Sequence, residues 1–399
     1  MMYEVAKKMV PQTIIEILKK KMGVIYPIVQ NPEKLFEIVY KVKDETWEDT
    51  YYAECYKHNK EQHLVVYAPA EFIFKTKEGI VNADSDVIIT NYGAYWSKFN
   101  QEEFVTWAKP VDMNVLVFDR TNIWIKKARE TDYVEGRVLP LIGLWSYHWV
   151  HSMMEFLPKL FVAGKAGLLN EPITVLLVEN QDSNIIEVVN NFLRSYPNAK
   201  IKMARHGVDY VCEELYFQPS PGPSFCDYKF RLDYPFYEPR YVIEMTKSLF
   251  VMPFVEKIKD NTPKYDKVLL PRNSKSSSNG RTLLNDDEIY DYFHSLGFVD
   301  VEGSELSMEE KADIFYHAKE IVGLTGASLL NLVFCNQARC MVLGNYRFAT
   351  DPVGYSFYRD CVSKYVYVTG QDDSDDYRSN FYIPLEKIKK VYNDFIKTS

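Results

Sequence analysis

The stretch EIVGLTGASLLNLVFCNQARCMVLGN, residues 320–345, contains one complete strand–helix–strand unit. Its first and last segments are short apolar runs that predict strands, and ASLLNLVFC between them predicts a helix. Parallel strands need such a crossover connection, so the stretch predicts two parallel strands in one sheet. Two interpretations of the glycine turn at residues 323–327 stay open. Small residues permit tight packing of a strand against a helix, and they also let a phosphate approach the first N–H groups of the helix.

The region upstream, residues 266–318, continues the same alternation of short apolar strands and longer helices. This pattern is typical of a doubly wound parallel sheet. Both helices begin with the Ser/Asn-x-x-Glu spacing of a capping box, Asn285 with Glu288 and Ser307 with Glu310.

The first half of the chain predicts a second α/β unit over residues 147–218, whose first helix is interrupted near Pro158. Residues 24–125 contain β-branched and aromatic runs and predict a β-rich region. Three prolines between positions 219 and 223 forbid regular structure and indicate a crossover between domains.

The predicted fold class is α/β, with two Rossmann-like domains facing a cleft and an N-terminal β-rich region. Residues 1–225 form the first domain and residues 226–399 the second. The last helix either completes the second domain or crosses back to the first. Ligands of such sheets bind outside the carboxyl ends of the strands.

Composition excludes several classes of function. The 399 residues carry a net charge of −8, which argues against nucleic acid as a partner. Six cysteines without a CxxC pair indicate reduced thiols rather than a metal site. No signal peptide or membrane span is evident, so we expect a cytoplasmic protein. Residues 11–22 predict an amphipathic helix, which either packs on its own domain or contacts a membrane surface.

Two arginines are the best candidates for binding an anion. Arg272 follows a predicted strand, and Arg281 lies nine residues later, across a loop of serine, asparagine and glycine. Guanidinium groups are permanently charged and bind phosphate oxygens in pairs. The glycine turn that contains Gly326 ends a neighbouring strand, and it matches neither a dinucleotide fingerprint nor a P-loop.

His151 and Glu155 are the best candidates for acid–base chemistry, since residues four apart share one face of a helix. A carboxylate supports the basicity of histidine, which makes a general base one interpretation and a structural pair another. The same spacing suits a metal, although no further ligands are evident. His148 lies one turn earlier and is an alternative base.

Two D-x-D strings, Asp84–Asp86 and Asp373–Asp375, have the composition of a divalent-cation site. The first precedes its strand and resembles a turn, while the second lies in an acidic loop. Neither is the favoured site.

With these residues in place, the chain resembles glycosyltransferase family 61, a group of capsular and surface-polysaccharide enzymes, plant xylosyltransferases and animal protein O-linked N-acetylglucosaminyltransferases. Four stretches between residues 147 and 345 are similar to family motifs and occur in the family's order. They are HSMMEFLPKL, LLPRNS with GRTLLNDDE, ELSMEEKADIF and GLTGASLLNLVF.

The resemblance implies a GT-B architecture and an inverting, metal-independent transfer from a nucleotide sugar, expected to be a UDP-sugar, to a glycan acceptor, without a cofactor. It implies His151 as the base and Glu155 as its orienting partner, or Glu155 as the base itself. The implied diphosphate-binding residues are Arg272, Arg281, Thr325, Gly326 and Ala327, and the implied donor-binding or orienting residues are Asn285, Glu288 and Asn331.

Two departures from the family pattern stand out, Thr325 in place of the usual histidine and Lys311 in place of glutamine. The first leaves a catalytically silent nucleotide-sugar-binding or scaffold protein as one alternative. A metal-dependent transferase that uses a D-x-D pair is a second. The sequence does not indicate the oligomeric state.

Overall fold

The computed structural model describes residues 19–43, 47–55, 60–68, 71–96, 112, 114–219, 240–258, 265–272, 281–345, 361–374 and 379–397. The chain forms two compact units. Unit 1 comprises Met1–Thr46 and Pro69–Tyr228, and unit 2 comprises Trp47–Ala68 and Lys229–Ser399. The predicted helix over residues 11–22 and the proline-rich crossover lie largely outside the described residues.

The strands, numbered in chain order, are β1 (Gly23–Pro27), β2 (Glu37–Lys43), β3 (Trp47–Cys55), β4 (Lys60–Ala68), β5 (Glu71–Asn82), β6 (Ser85–Thr90), β7 (Gly93–Trp96), β8 (Val115–Phe118), β9 (Asn122–Lys126), β10 (Glu130–Pro140), β11 (Ile173–Val178), β12 (Ala199–Ala204), β13 (Val208–Phe217), β14 (Lys267–Leu270), β15 (Val299–Asp300), β16 (Glu320–Leu324), β17 (Arg339–Gly344), β18 (Lys364–Thr369), β19 (Gln371–Asp372) and β20 (Phe381–Tyr382).

Among the described residues, three helices contain a π-helical segment between or after α-helical turns. The helices are α1 (Pro32–Leu35), α2 (Trp149–His151, Ser152–Phe156 and Leu157–Lys165), α3 (Ser183–Leu193), α4 (Arg240–Met245, Thr246–Val251 and Met252–Val255), α5 (Asp286–Ser295), α6 (Met308–His317) and α7 (Leu385–Val391 and Tyr392–Lys397). Short 3-10 helices are formed by Leu168–Asn170, Gly303–Glu305 and Ala327–Phe334.

The main sheet of unit 1 is mixed, in the order β12-β11-β10-β13-β5-β6-β7, with β2 also paired to β5. Strands β10 to β13 are mutually parallel, and the others pair antiparallel. If these four parallel strands are numbered 1 to 4 along the chain, their order across the sheet is 3-2-1-4. The direction of winding therefore reverses between β10 and β13. That reversal is the position where open α/β sheets bind ligands.

The sheet of unit 2 is parallel from β15 through β14, β16, β17 and β18 to β3, and β4 closes its edge as a hairpin. The first five strands have the doubly wound order 2-1-3-4-5, so the winding reverses between β14 and β16. The prediction of an α/β fold is confirmed, and the facing arrangement of the two units stays a prediction.

The two units differ from the predicted domains in two respects, and the smaller one is that unit 1 ends at Tyr228 rather than at residue 225. The hairpin of β3 and β4 belongs to unit 2, because β3 pairs in parallel with β18, with Cys55 opposite Tyr367. Strand β18 itself was not predicted, although the alternating sequence KYVYVT is typical of a strand. The first segment of α7 packs in the core of unit 2 through Ile388 and Val391.

The structure confirms one of the two predicted capping boxes, and it shows what the predicted helix interruption consists of. The capping box of Ser307 and Glu310 is confirmed at the start of α6. The one predicted for Asn285 and Glu288 is wrong, since the Asn285 side chain makes no cap bond to α5. The predicted interruption near Pro158 is a π-helical segment rather than a break. Proline lacks the N–H that an α-helical bond to the fourth preceding residue needs.

Among the described residues, no helix combines the length and apolar composition that crossing a membrane requires.

Candidate active site

The carboxyl ends of β14 and β16 bring together two predicted anion-binding segments of unit 2. The strands are adjacent and parallel, with Leu270 opposite Gly323, so the residues that follow them leave the sheet side by side. Arg272 donates from Nη1 to the backbone carbonyl of Thr325 at 2.9 Å. Because the winding reverses here, these residues line the position at which a ligand is expected.

Arg281 lies close enough to Arg272 for their charges to interact. Desolvation, with the positive charge of Arg281, lowers the pKa of Arg272 to about 10. The backbone of Arg281 is left-handed, with φ of 60°, a conformation uncommon for residues other than glycine. Two adjacent guanidinium groups repel each other in the absence of an anion, and a bound anion relieves that repulsion. The pair therefore favours binding of a doubly charged group such as a diphosphate.

The glycine turn places small residues directly beside Arg272. A Cβ added at Gly326 would lie 3.9 Å from Arg272 Nη1, and the backbone there is extended, so neither strain nor crowding within the fold requires glycine. Leu329 donates its N–H to the Gly326 carbonyl at 3.2 Å, which begins the 3-10 helix. The N–H groups at the start of a helix have no partner within it and attract anions. Exposed Ala327 opens this helix.

The side chain of Thr325 is hydrogen-bonded within unit 2. The residue is 5% exposed, and its hydroxyl bonds to the hydroxyl of Tyr367 at 2.8 Å and donates to the Leu343 carbonyl at 3.3 Å. The Tyr367 ring reaches across β17 at Gly344, where any Cβ would collide with both hydroxyl groups. The hydroxyl of Thr325 therefore fixes the end of β16, and its carbonyl fixes Arg272.

The three remaining predicted residues of unit 2 are engaged within the protein. Asn285 donates from Nδ2 to the Ile383 carbonyl at 2.9 Å and to Glu288 Oε2 at 3.0 Å. Asn331 is 2% exposed and packs against Gly303. The bonds of Asn285 and Glu288 fit an orienting role, whereas Asn331 Oδ1 is buried without a hydrogen-bond partner among the described residues.

In unit 1, helix α2 follows β10 and carries the predicted acid–base pair. His151 Nδ1 and Glu155 Oε1 lie 2.5 Å apart. The side chain of His151 is 20% exposed and that of Glu155 is 2% exposed. An ionised carboxylate only accepts hydrogen bonds, so an ionised Glu155 would favour the tautomer that carries its proton on Nδ1 and would leave the lone pair of Nε2 unprotonated.

The loop before α2 orients the pair. Trp145 has a left-handed backbone, with φ of 64°, and its ring centre lies 5.0 Å from that of His151. The ring of His148 lies 5.5 Å from that of His151. Partial desolvation and the charge of His151 lower the pKa of His148, while Asp182 opposes the effect. A strained residue of this kind persists where the surrounding structure enforces it, as at many functional sites.

Residues 149–342 match the family model described as Glycosyltransferase 61. Over these residues the chain belongs to glycosyltransferase family 61. The match includes the acid–base pair of unit 1 and the arginines of unit 2, and the family indicates glycosyltransferase activity. No curated protein matches the chain.

Several further residues of this family 61 domain bond near the acid–base pair and were not predicted from the sequence. Gln181, just after β11, donates to Ser152 Oγ at 2.9 Å, and Ser152 in turn donates to the Ser146 carbonyl, which ties the loop to α2. Tyr367 was missed because β18 was missed. A polar residue directly after a predicted parallel strand was the signal for Gln181.

His206, just after β12, was also missed. Its Nδ1 bonds to Asp84, and its Nε2 lies 2.9 Å from Asn180 Oδ1. Asp84 also accepts from the Gly207 N–H at 2.7 Å, and Asp86 accepts from the Leu144 N–H at 3.1 Å.

The described residues contain no group of three or more histidine, cysteine, aspartate or glutamate side chains that could hold a metal ion. Within the second D-x-D string, Asp373 accepts from Asn380 Nδ2 at 3.0 Å, and Asp375 lies outside the described residues.

Proposed function

We propose that the protein transfers a sugar from a nucleotide sugar, expected to be a UDP-sugar, to a hydroxyl group of a glycan, with inversion at the anomeric carbon. The observation that carries the proposal is the pair of Arg272 and Arg281 beside the Gly326 turn, at the point where the sheet of a family 61 domain reverses its winding.

Unit 2 would bind the diphosphate of the donor. When the bond between the anomeric carbon and the diphosphate breaks, the leaving group gains negative charge. Arg272, Arg281 and the N–H groups at Gly326 and Ala327 would stabilise that charge, and interactions that strengthen in the transition state accelerate the reaction. Because two guanidinium groups supply the positive charge, we propose a metal-independent reaction.

Unit 1 would supply the base. The acceptor oxygen attacks the anomeric carbon and gives its proton to His151 Nε2, while buried Glu155 holds the imidazole through Nδ1 and stabilises the imidazolium. The exposures of the two side chains favour this assignment over Glu155 as the base.

The test measures the nucleoside diphosphate that is released from each of a panel of nucleotide sugars, in the presence of a mixture of glycan acceptors and of EDTA. We expect one donor to be consumed in EDTA, and His151→Ala to lower kcat by about 10²–10⁴-fold. Glu155→Gln should also lower kcat and shift the acidic limb of the pH profile. His148→Ala is the matched control and should retain activity within about tenfold of the wild type.

Each alternative predicts a different result. Loss of activity in EDTA with recovery on adding Mn²⁺ would support a metal-dependent transferase. Nucleotide binding without turnover of any donor would support the silent protein. A role in surface polysaccharide synthesis at the cytoplasmic side of a membrane is the context that the family resemblance suggests.

A further inference from the structure

Unit 1 contains a small cavity at the reversal point of its sheet. Pro140 and Ile142 lie at the carboxyl end of β10, Phe217 and Gln218 at that of β13, and all four line the cavity. Its position relative to the parallel strands is the one at which α/β sheets bind ligands.

Gln218 is the feature that the fold does not explain. The residue is 5% exposed, and neither atom of its side-chain amide has a hydrogen-bond partner in the part of the chain that the structure describes. Buried amides are bonded in nearly all native proteins, so one that is left without bonds calls for a ligand or a water molecule. Because Gln218 lines the cavity, a molecule bound in the cavity would supply the missing hydrogen bonds.

The shape and chemistry of the cavity favour a hydroxymethyl group. Its volume is about 30 Å³, roughly twice the minimum that one water needs, which suits two heavy atoms. Val81, Val87 and Tyr95 supply apolar wall for a methylene. The Gln218 amide offers an NH2 group that donates and a carbonyl oxygen that accepts, and a hydroxyl can bond to both.

The cavity also adjoins the proposed catalytic elements. Asp86 and Lys159, both half-buried, form part of its wall, and Lys159 lies on α2, the helix of His151 and Glu155. Asp86 accepts from the Leu144 N–H at 3.1 Å, in the loop that leads to α2. A Cβ at Gly143 would collide with the Asp86 carboxylate, so the loop lies directly against this wall.

We propose that this cavity binds the hydroxymethyl group of the acceptor sugar, and that the Gln218 amide forms hydrogen bonds with its hydroxyl. The inference rests on the proposed function and names the acceptor class as a hexose-type sugar with a free –CH2OH group.

The experiment uses the full chain and measures saturation-transfer NMR with methyl glycosides of glucose, galactose, mannose and N-acetylglucosamine. Methyl xyloside, which lacks the hydroxymethyl group, is the comparison probe. We expect at least one hexoside to bind at least tenfold more tightly than the xyloside. Gln218→Met should remove most of that preference without lowering the melting temperature, because no hydrogen bond within the protein is lost.

A second variant and a control keep the result interpretable. Ile88→Trp places a large side chain at the half-buried edge of the cavity and should remove hexoside binding in the same way. Gln337→Met, at an exposed position of unit 2, should change nothing.

Three outcomes would overturn the inference. They are the absence of hexoside binding, equal binding of hexosides and xyloside, and a lowered melting temperature of Gln218→Met with the preference retained, which would indicate a structural water. Binding needs no turnover, so failure of the proposed function would be seen separately, as no consumption of any nucleotide sugar.

Discussion

Replacing Arg272 with methionine separates a functional arginine from a structural one. Lowering the Arg272 pKa from its ordinary value to about 10 corresponds to roughly 3 kcal/mol of unfavourable free energy for holding the charge in the folded protein. Screening by solvent at this half-buried site reduces the figure to about 1–3 kcal/mol. The charged hydrogen bond to the Thr325 carbonyl opposes this cost, because it stabilises the folded protein by about 1.5–3 kcal/mol.

The two contributions nearly cancel, so Arg272→Met should change the free energy of unfolding by only about 1 kcal/mol in either direction. Binding should respond differently, because two charged hydrogen bonds to a diphosphate are worth roughly 3–4 kcal/mol together. The affinity for a nucleoside diphosphate should therefore fall by about 10²–10³-fold.

Calorimetric titration with UDP, GDP, CDP and ADP gives the affinity, and urea unfolding gives the stability. Arg205→Met is the matched control, since Arg205 is an exposed arginine of unit 1 that pairs with Glu130. It should leave the affinity unchanged. A loss of more than about 3 kcal/mol of stability in Arg272→Met, with affinity within threefold of the wild type, would refute the reasoning and make Arg272 a structural tie.

Three further predictions concern individual side chains. Thr325→Val should cost about 1–3 kcal/mol of stability yet lower nucleotide affinity less than tenfold, because its hydroxyl bonds to Tyr367; unchanged stability on urea unfolding would contradict this. Burial and the charge of Asp86 raise the pKa of Asp112 to about 6 from 3.8, so the folded state favours the protonated form. The free energy of unfolding of the wild type relative to that of Asp112→Asn should therefore fall by roughly 1–3 kcal/mol between pH 4 and pH 6. A difference between the two proteins that does not change with pH would contradict this. Ser307→Ala should lower the stability of unit 2 by about 1 kcal/mol through loss of the cap, and a variant as stable as the wild type in urea would count against it.

Much of the candidate site of unit 2 could be predicted from the sequence, because its geometry follows from local rules. Strand ends carrying Arg272 and Gly326 were identifiable from the alternation of strands and helices. Parallel neighbours then bring such ends together at one edge of a sheet. The pairing of His151 with Glu155 follows from helical spacing alone.

What could not be predicted depends on partners far away in the chain. Asn285 has the spacing of a capping residue, but its side-chain amide donates to the carbonyl of Ile383, 98 residues later, and accepts from the N–H of the same residue. The orientation of Thr325 depends on Tyr367 and on the absence of a side chain at Gly344. The hairpin of β3 and β4 joins unit 2 through β18, although the flanking residues belong to unit 1. Local patterns carry no information on such pairings.

The most direct test of the central claim is a time course of proton NMR spectra recorded with a nucleotide sugar, a glycan acceptor and the full chain. The account predicts that the anomeric signal of one donor disappears as a glycoside of opposite anomeric configuration and free nucleoside diphosphate appear, and that Arg272→Met slows this at least a hundredfold. If no donor is consumed and no nucleotide raises the melting temperature, the account is contradicted.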